Sequence, residues 1–582
     1  MPVPGTVGSG RLKGEKTMRT LLKNGTVINT FTGEKEKADV LMENGLIIGV
    51  GSYGDEKADD VRDVTGRYIC PGFIDGHIHI ESTMLLPSEL ARVCVPHGTT
   101  AIVADPHEIA NVCGTKGIRF MLEASEGIPL SVYVMLPSCV PASGFDESGA
   151  VLRAKDLEPF YAHPRVLGLA EVMNYPGVIA RDPEVMDKVA SALAKGKPVN
   201  GHAPLLSGKE LDLYIAAGIG DDHECSSFEE AAERIRKGQR VMIRQGTAAQ
   251  NLKALLPLFD EPWAHRCLLV TDDKHPADLL AHGHINSIIR QAVKAGKDPV
   301  TGIRMATLWA AECFGLHGIG AVAPGYRADI LVLDRLDTVA VRDVYREGIC
   351  VCENGRMKPF DPPAANPELQ STVRSSFNMP RVSEKDFHID RHGLEKCRVI
   401  KTVSGELLTE EWVTGINFDR NNGIDADRDI LKIAVLERHL NTGHQCIGFI
   451  SGTGLKYGAV ASSVSHDSHN LIVIGTNEAD MAAAAEAVRG MGGGCVSVRD
   501  GQRLAEMPLP IAGLMTDAPA REIAERNEAL RKSLHELGVP EDRELLMTAA
   551  FVSLPVIPHL KITTKGLVDV DNCKIVPLLW EG

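Results

Sequence analysis

None of the 13 cysteines in this 582-residue chain stands in a Cys-x-x-Cys pair or in any paired spacing of a thiolate metal site. That absence excludes a disulfide scaffold and leaves reduced thiols in a cytoplasmic protein, with Cys350 and Cys352 alternating as buried strand residues do. No apolar run reaches the ~18 to 20 residues that span a bilayer, so no membrane partner is expected. Residues 1–16 carry glycine and basic residues without an apolar stretch, which predicts a disordered leader and not a signal peptide. Lysine and arginine number 62 against 77 acidic residues, with no basic cluster to track a phosphate backbone. Nucleic acid is therefore excluded as the principal partner, and a small molecule fits better.

What is present is Asp75-Gly76-His77-Ile78-His79, at the end of the mostly apolar run from Tyr68 to Ile74. Alternate residues of a strand face one side, so His77 and His79 either hold one metal together or are polar residues at a strand end. Asp105-Pro106-His107-Glu108, Glu171, His202, His223 and Asp272-Asp273 each terminate a further short apolar run. Recurrence of ligand-type residues at strand ends favours the metal.

The length predicts two or three domains. Strand candidates are Tyr68 to Ile74, Thr99 to Ala104, Leu130 to Leu136, Val166 to Glu171, Pro198 to Gly201, Ile219 to His223, Arg240 to Ile243 and Cys267 to Thr271. With helical stretches between them they predict an α/β fold, a (β/α)8 TIM-type barrel over 69–321, with the ligand-type residues on its carboxyl-end face. Short β-type runs over 17–68 and 322–380, with hairpin signals at Asn44-Gly45 and Asn354-Gly355, predict one small flanking β domain built from both sides of the barrel. Residues 381–582 predict a C-terminal α/β domain, with strands at Cys397 to Val403, Trp412 to Ile416 and Ile433 to Glu437 and a helix over Glu478 to Arg489. Its polar run Ser462 to Asn470 is either a loop capping a strand or a segment whose His466, Asp467 or His469 reaches the barrel mouth or holds a further metal.

The chain resembles the amidohydrolase superfamily and, within it, the bacterial adenine deaminases. The resemblance rests on Pro71-Gly72-Phe73-Ile74-Asp75-Gly76-His77-Ile78-His79-Ile80-Glu81-Ser82, on Ala104 to Val112, on Gly325 to Ile330, and on Lys456 to Asn470 and Pro508 to Met515. It covers nearly the whole chain from about Thr17. It implies hydrolytic deamination of adenine to hypoxanthine in purine salvage, at a centre of two divalent ions. Mn or Fe is favoured, and Zn also suits such a set of histidines and carboxylates. The lack of cysteine ligands argues against the separate zinc deaminase design.

On this resemblance His77 and His79 hold the first metal, His202 and His223 the second, and Asp272 contacts the metal and takes a proton from water. Val166 to Ala170 contains no lysine to be carboxylated, so Glu171 is expected to bridge the metals, the alternative being a hydrogen bond to substrate. Asp273, pointing the other way in a strand, is expected to cap a turn. Asp105, His107 and Glu108 either begin a helix or act in catalysis, with Glu108 or Asp105 handling ring-nitrogen or leaving-group protons. Ser138, Arg244, Gln245 and Glu81 are the candidates for substrate binding, against ordinary loop packing. Alternative functions are hydrolysis of another aminated heterocycle or cyclic amide, and a non-catalytic assembly protein of the same fold. Relatives of this kind commonly form homo-oligomers.

Overall fold

The computed structural model describes residues 18–580 except 248, 363–365, 391–392, 395, 404–407 and 420, so the expected leader lies outside the described residues. Eight short segments form parallel strands, most of them apolar: β1 (Phe73–Ile78), β2 (Thr99–Ala104), β3 (Ser131–Leu136), β4 (Val166–Val172), β5 (Val199–Gly201), β6 (Asp221–Asp222), β7 (Arg240–Arg244) and β8 (Cys267–Val270). Strands β1 to β5 make one sheet and β6 to β8 another. The Gly220 N–H donates to the Val199 carbonyl at 3.0 Å, and the Asp272 N–H to the His77 carbonyl at 2.9 Å, so the sheet curls until β8 meets β1.

Strand alternation sorts the core. Ile74, Ala101, Val103, Leu268 and Val270 pack in one cluster with Met135 and Met242. Phe73, Ile102, Ala104 and Leu269 pack instead with helix residues such as Leu90, Ile118 and Ile289. A curled parallel sheet is buried on both faces, which is why its strands read as continuous apolar runs.

The run read as a single first strand, Tyr68 to Ile74, is divided. Tyr68–Pro71 pairs with Thr26 and Val27 on one side and with Ile330–Leu333 on the other, in a nine-stranded sheet built from 19–71 and 330–357. Only Phe73 onward enters the curled sheet. Gly72 is the joint: a Cβ there would run into the Thr100 side chain. Both Asn-Gly hairpins form, with Asn44, Gly45, Asn354 and Gly355 all at positive φ, as a tight two-residue turn demands. The helix Pro367–Arg374 leaves this sheet and packs on the helix His107–Ala124.

Beyond it lies a second nine-stranded sheet, including Lys396–Thr402, Thr409–Gly415, Leu431–Leu436 and Leu471–Gly475. The alanine-rich helix Glu478–Met491 packs on it, capped by Asn477, whose side chain accepts from the Asp480 N–H, and closed by Gly492 at φ 74°. Leu509, Leu514, Met515 and Ile523 join the core that contains Leu90 and Ile118, so this region and the curled sheet share apolar packing. No helix among the described residues is long and apolar enough to cross a membrane, and none of the described cysteines is paired.

Candidate metal centre

The carboxyl ends of β1, β4, β5, β6 and β8 deliver His77, His79, Glu171, His202, His223 and Asp272 to one point. Asp75 fixes the first pair. Its carboxylate accepts from the Thr271 N–H at 3.1 Å and lies 3.1 Å from His284 Nε2, tying β1 to β8 beneath the histidines. His79 Nδ1 lies 3.1 Å from the Asp105 carbonyl, which can only accept, so that nitrogen carries a proton and Nε2 is turned toward the cluster. His79 Nε2 lies 3.0 Å from Asp272 Oδ1 and 3.3 Å from Glu171 Oε1, and His77 Nε2 is 3.3 Å from the same Asp272 oxygen.

The two oxygens of Glu171 face different partners. Oε1 lies among His79, His77 and His107, while Oε2 lies 2.7 Å from His202 Nδ1 and 3.2 Å from His223 Nε2. Burial works against a charge on Glu171, yet the hydrogen bonds from His202 and His223 outweigh it and hold the carboxyl well below its usual range. Asp272 is likewise held far down, burial being overcome by the charge of Arg244 and by the His77 and His79 imidazoles beside it. Asp272 sits at φ 57°, a left-handed conformation that aspartate tolerates better than most residues.

These donors fit divalent cations. His77 Nε2 is buried without a hydrogen-bond partner, and burial with the neighbouring His223 pushes that imidazole down toward its neutral, ligating form. His202 Nδ1 and His223 Nε2 lie 3.3 Å apart with a carboxylate against both, a group of ligand atoms among which a cation would take the place of the shared protons. Nitrogen and oxygen donors without thiolate suit Mn, Fe or Zn.

Sequence reasoning missed Glu224. It lies 3.3 Å from His223 Nε2 and 3.5 Å from His202 Nδ1, and its carboxylate pairs with the Arg244 guanidinium. Its position directly after His223 at a strand end was the available signal. Arg244 also donates to Asp272 Oδ2 at 2.8 Å, so it bridges two buried carboxylates.

At the end of β2, Asp105 Oδ2 lies 3.0 Å from His107 Nδ1, and His107 stands 3.6 Å from Glu171 Oε1. Glu108 is buried, and burial with the charge of Glu81 pushes its carboxyl well above the usual range. Ser82 Oγ lies 2.8 Å from Glu108 Oε1 and 2.6 Å from Asp273 Oδ1. A hydroxyl has one hydrogen to donate, so one of these carboxyls must donate in return, and Glu108 is the one whose proton is held. Asp273 was expected to cap a turn. It lines the cavity instead, because β8 has ended at Val270 and the left-handed turn at Asp272 breaks strand alternation.

The cluster opens into a cavity of about 430 Å³, ordinary for a small-molecule site, walled by Met173, Leu205, Phe551 and Leu554 and reached by His466 and Asp467. Two expected substrate contacts are turned away from it. Ser138 donates to the Glu171 carbonyl, while Lys188 Nζ holds the Ser138 carbonyl at 2.6 Å. Gln245 accepts from the Leu252 N–H at 3.3 Å, since it follows Arg244 and adjacent strand residues face opposite sides. Glu81 lies beside a smaller cavity of about 40 Å³ and accepts from the Ile109 N–H at 3.2 Å.

A curled parallel sheet with histidines and carboxylates gathered at its carboxyl ends defines a metal-dependent hydrolase of the amidohydrolase class, and residues 68–357 match the Amidohydrolase family. Residues 406–574 match the Adenine deaminase C-terminal domain. The chain is 46% identical to the adenine deaminase of Desulfatibacillum aliphaticivorans, over 97% of this chain and 98% of that one. It is 46% identical to adenine deaminase 2 of Carboxydothermus hydrogenoformans, again over 97% and 98%, and 43% identical to the Geobacillus kaustophilus adenine deaminase over 96% of each. The chain belongs to the adenine deaminase family of amidohydrolases.

Proposed function

We propose that this chain hydrolyses adenine to hypoxanthine and ammonia at a centre of two divalent cations. The observation that carries this reading is the division of Glu171, with Oε1 toward His77 and His79 and Oε2 toward His202 and His223. His77 and His79 would hold one cation, His202 and His223 the other, with Glu171 between them and Asp272 beside the first. Bound there, the cations would lower the pKa of water from about 15.7 to about 7 and so supply a nucleophile at neutral pH. Mn or Fe is the favoured metal, with Zn as the third candidate.

The chain's own groups do the rest. Arg244 engages Asp272 Oδ2, which leaves Oδ1 facing the histidines to accept the proton of the attacking water. Glu108, whose proton is held by burial and by Glu81, returns one to a ring nitrogen or to the departing amine. Asp105 orients His107 through Nδ1, so that Nε2 faces the cavity. The apolar walls exclude water around the ring.

We assign a small β domain to the nine-stranded sheet of 19–71 and 330–357, the barrel to 73–321 and an α/β domain to 381–582, in a cytoplasmic homo-oligomer; limited proteolysis and light scattering test these assignments. The test of the activity is ammonia release from adenine, adenosine, guanine and cytosine, beside ring opening of hydantoin and dihydroorotate, after chelation and reloading with Mn, Fe or Zn. Adenine is expected to be turned over best, and failure with every aminopurine would overturn the reading.

A further inference from the structure

We infer that Asp467, from the C-terminal region, selects a free purine base by accepting the N–H of its five-membered ring. The inference rests on the adenine reading above. The turn from Ser465 to Asn470 carries Asp467 to the cavity, where the residue is 2% exposed and its Oδ2 is buried with no hydrogen-bond partner among the described residues. Asp467 Oδ1 lies 3.7 Å from His107 Nε2 and 3.8 Å from His466 Nδ1, too far for hydrogen bonds. A buried carboxylate oxygen without a donor is costly, and a ligand N–H relieves the cost.

Position selects the edge. His107 lies between Glu171, 3.6 Å from Nδ1, and Asp467, 3.7 Å from Nε2, so the carboxylate stands across the imidazole from the metal-facing oxygen. A purine whose six-membered ring is attacked at the Glu171 end carries its five-membered ring, with the ring N–H, toward the far side. Adenine offers that donor. A nucleoside or a base alkylated on an imidazole nitrogen offers none and adds bulk there.

The acceptor is also held in place. The His466 N–H donates to the Ala550 carbonyl at 2.7 Å, the His469 N–H to the Ser465 carbonyl at 2.7 Å, and Asn470 Nδ2 to the Glu147 carbonyl at 2.7 Å. Arg438 Nε donates to the His469 carbonyl, and His466 stacks on Phe551 with ring centroids 4.4 Å apart. Little ordering remains to oppose binding.

The test compares adenine with 7-methyladenine and 9-methyladenine, neither of which has an imidazole N–H, in the metal-loaded wild type and Asp467→Ala. Wild type is expected to prefer adenine by about 10⁴-fold in kcat/KM, as a site built around a substrate N–H does. Asp467→Ala is expected to raise KM for adenine by about 10- to 100-fold with kcat and metal content little changed, and to shrink the preference by at least that factor. Retention of the wild-type preference, or a fall in kcat with KM unmoved, overturns the inference. Should Asp467→Ala not fold, Asp467→Asn keeps the volume, and calorimetry with hypoxanthine should give weaker binding than wild type; equal binding overturns the inference. Wild type that releases no ammonia from adenine refutes the earlier reading and this one with it, whereas active wild type with an unmoved preference in the variant refutes this one alone.

Discussion

Arg244 holds two buried carboxylates apart from each other's charge, pairing with Glu224 on one side and Asp272 on the other. Replacing Arg244 by Met should cost the metal-free protein about 3–5 kcal/mol in denaturant unfolding, because two buried charges lose their counter-ion, and a second change of Glu224 to Gln should restore part of the loss. Glu108→Gln should lower kcat by about 10²- to 10⁴-fold. Because the Glu108 carboxyl is held above its usual range, its acid form is lost as pH rises, so the variant should also lose the alkaline fall in the pH–rate profile. An unchanged profile would count against its role. Asp146 gives a stability prediction of definite sign. Burial, with the charge of Asp467 added, pushes its carboxyl up to about 8, so the unfolded chain releases this proton at far lower pH than the folded one. The residue therefore destabilises increasingly as pH rises from the unfolded value toward about 8, and the Tm advantage of Asp146→Asn over wild type should grow between pH 5 and pH 8.

At the scale of elements, Gly72 separates a strand of the nine-stranded sheet from β1, and the sequence marked this division only as the Pro71-Gly72 interruption of one run. Tyr68 to Ile74 reads as one apolar run, and what divides it is a contact with Thr100, almost thirty residues away. Gly72→Ala should lower stability by about 1–3 kcal/mol through overpacking at that joint, measured by equilibrium unfolding. Local signals fared better. Seven of the eight runs emerge as parallel strands with ends shifted by at most two residues, and the Asn-Gly pairs make their turns, because both follow from neighbours in the chain. Ser138 and Gln245 were read from loop position alone. Side-chain direction one residue past a strand depends on the turn that follows, which spacing does not encode.

For the whole molecule, the C-terminal region is part of the site and not an appendage. Phe551 and Leu554 wall the cavity, and Asp467 reaches it from almost two hundred residues beyond Asp272. The polar run holding Asp467 was visible in the sequence with the barrel mouth as one of two destinations, and what decides between them is long-range packing, such as that of Leu514 and Ile523 in the core with Leu90 and Ile118 and of Asn470 on the Glu147 carbonyl. A chain ending before residue 381 should therefore expose an apolar face and be recovered in the insoluble fraction. The central claim, adenine deamination at a two-cation centre bridged by Glu171, is tested most directly by titrating the chelated protein with Mn(II) while following ammonia release from adenine. Activity should rise to a plateau at two equivalents per chain. A plateau at one equivalent, or no ammonia at any loading, would contradict it.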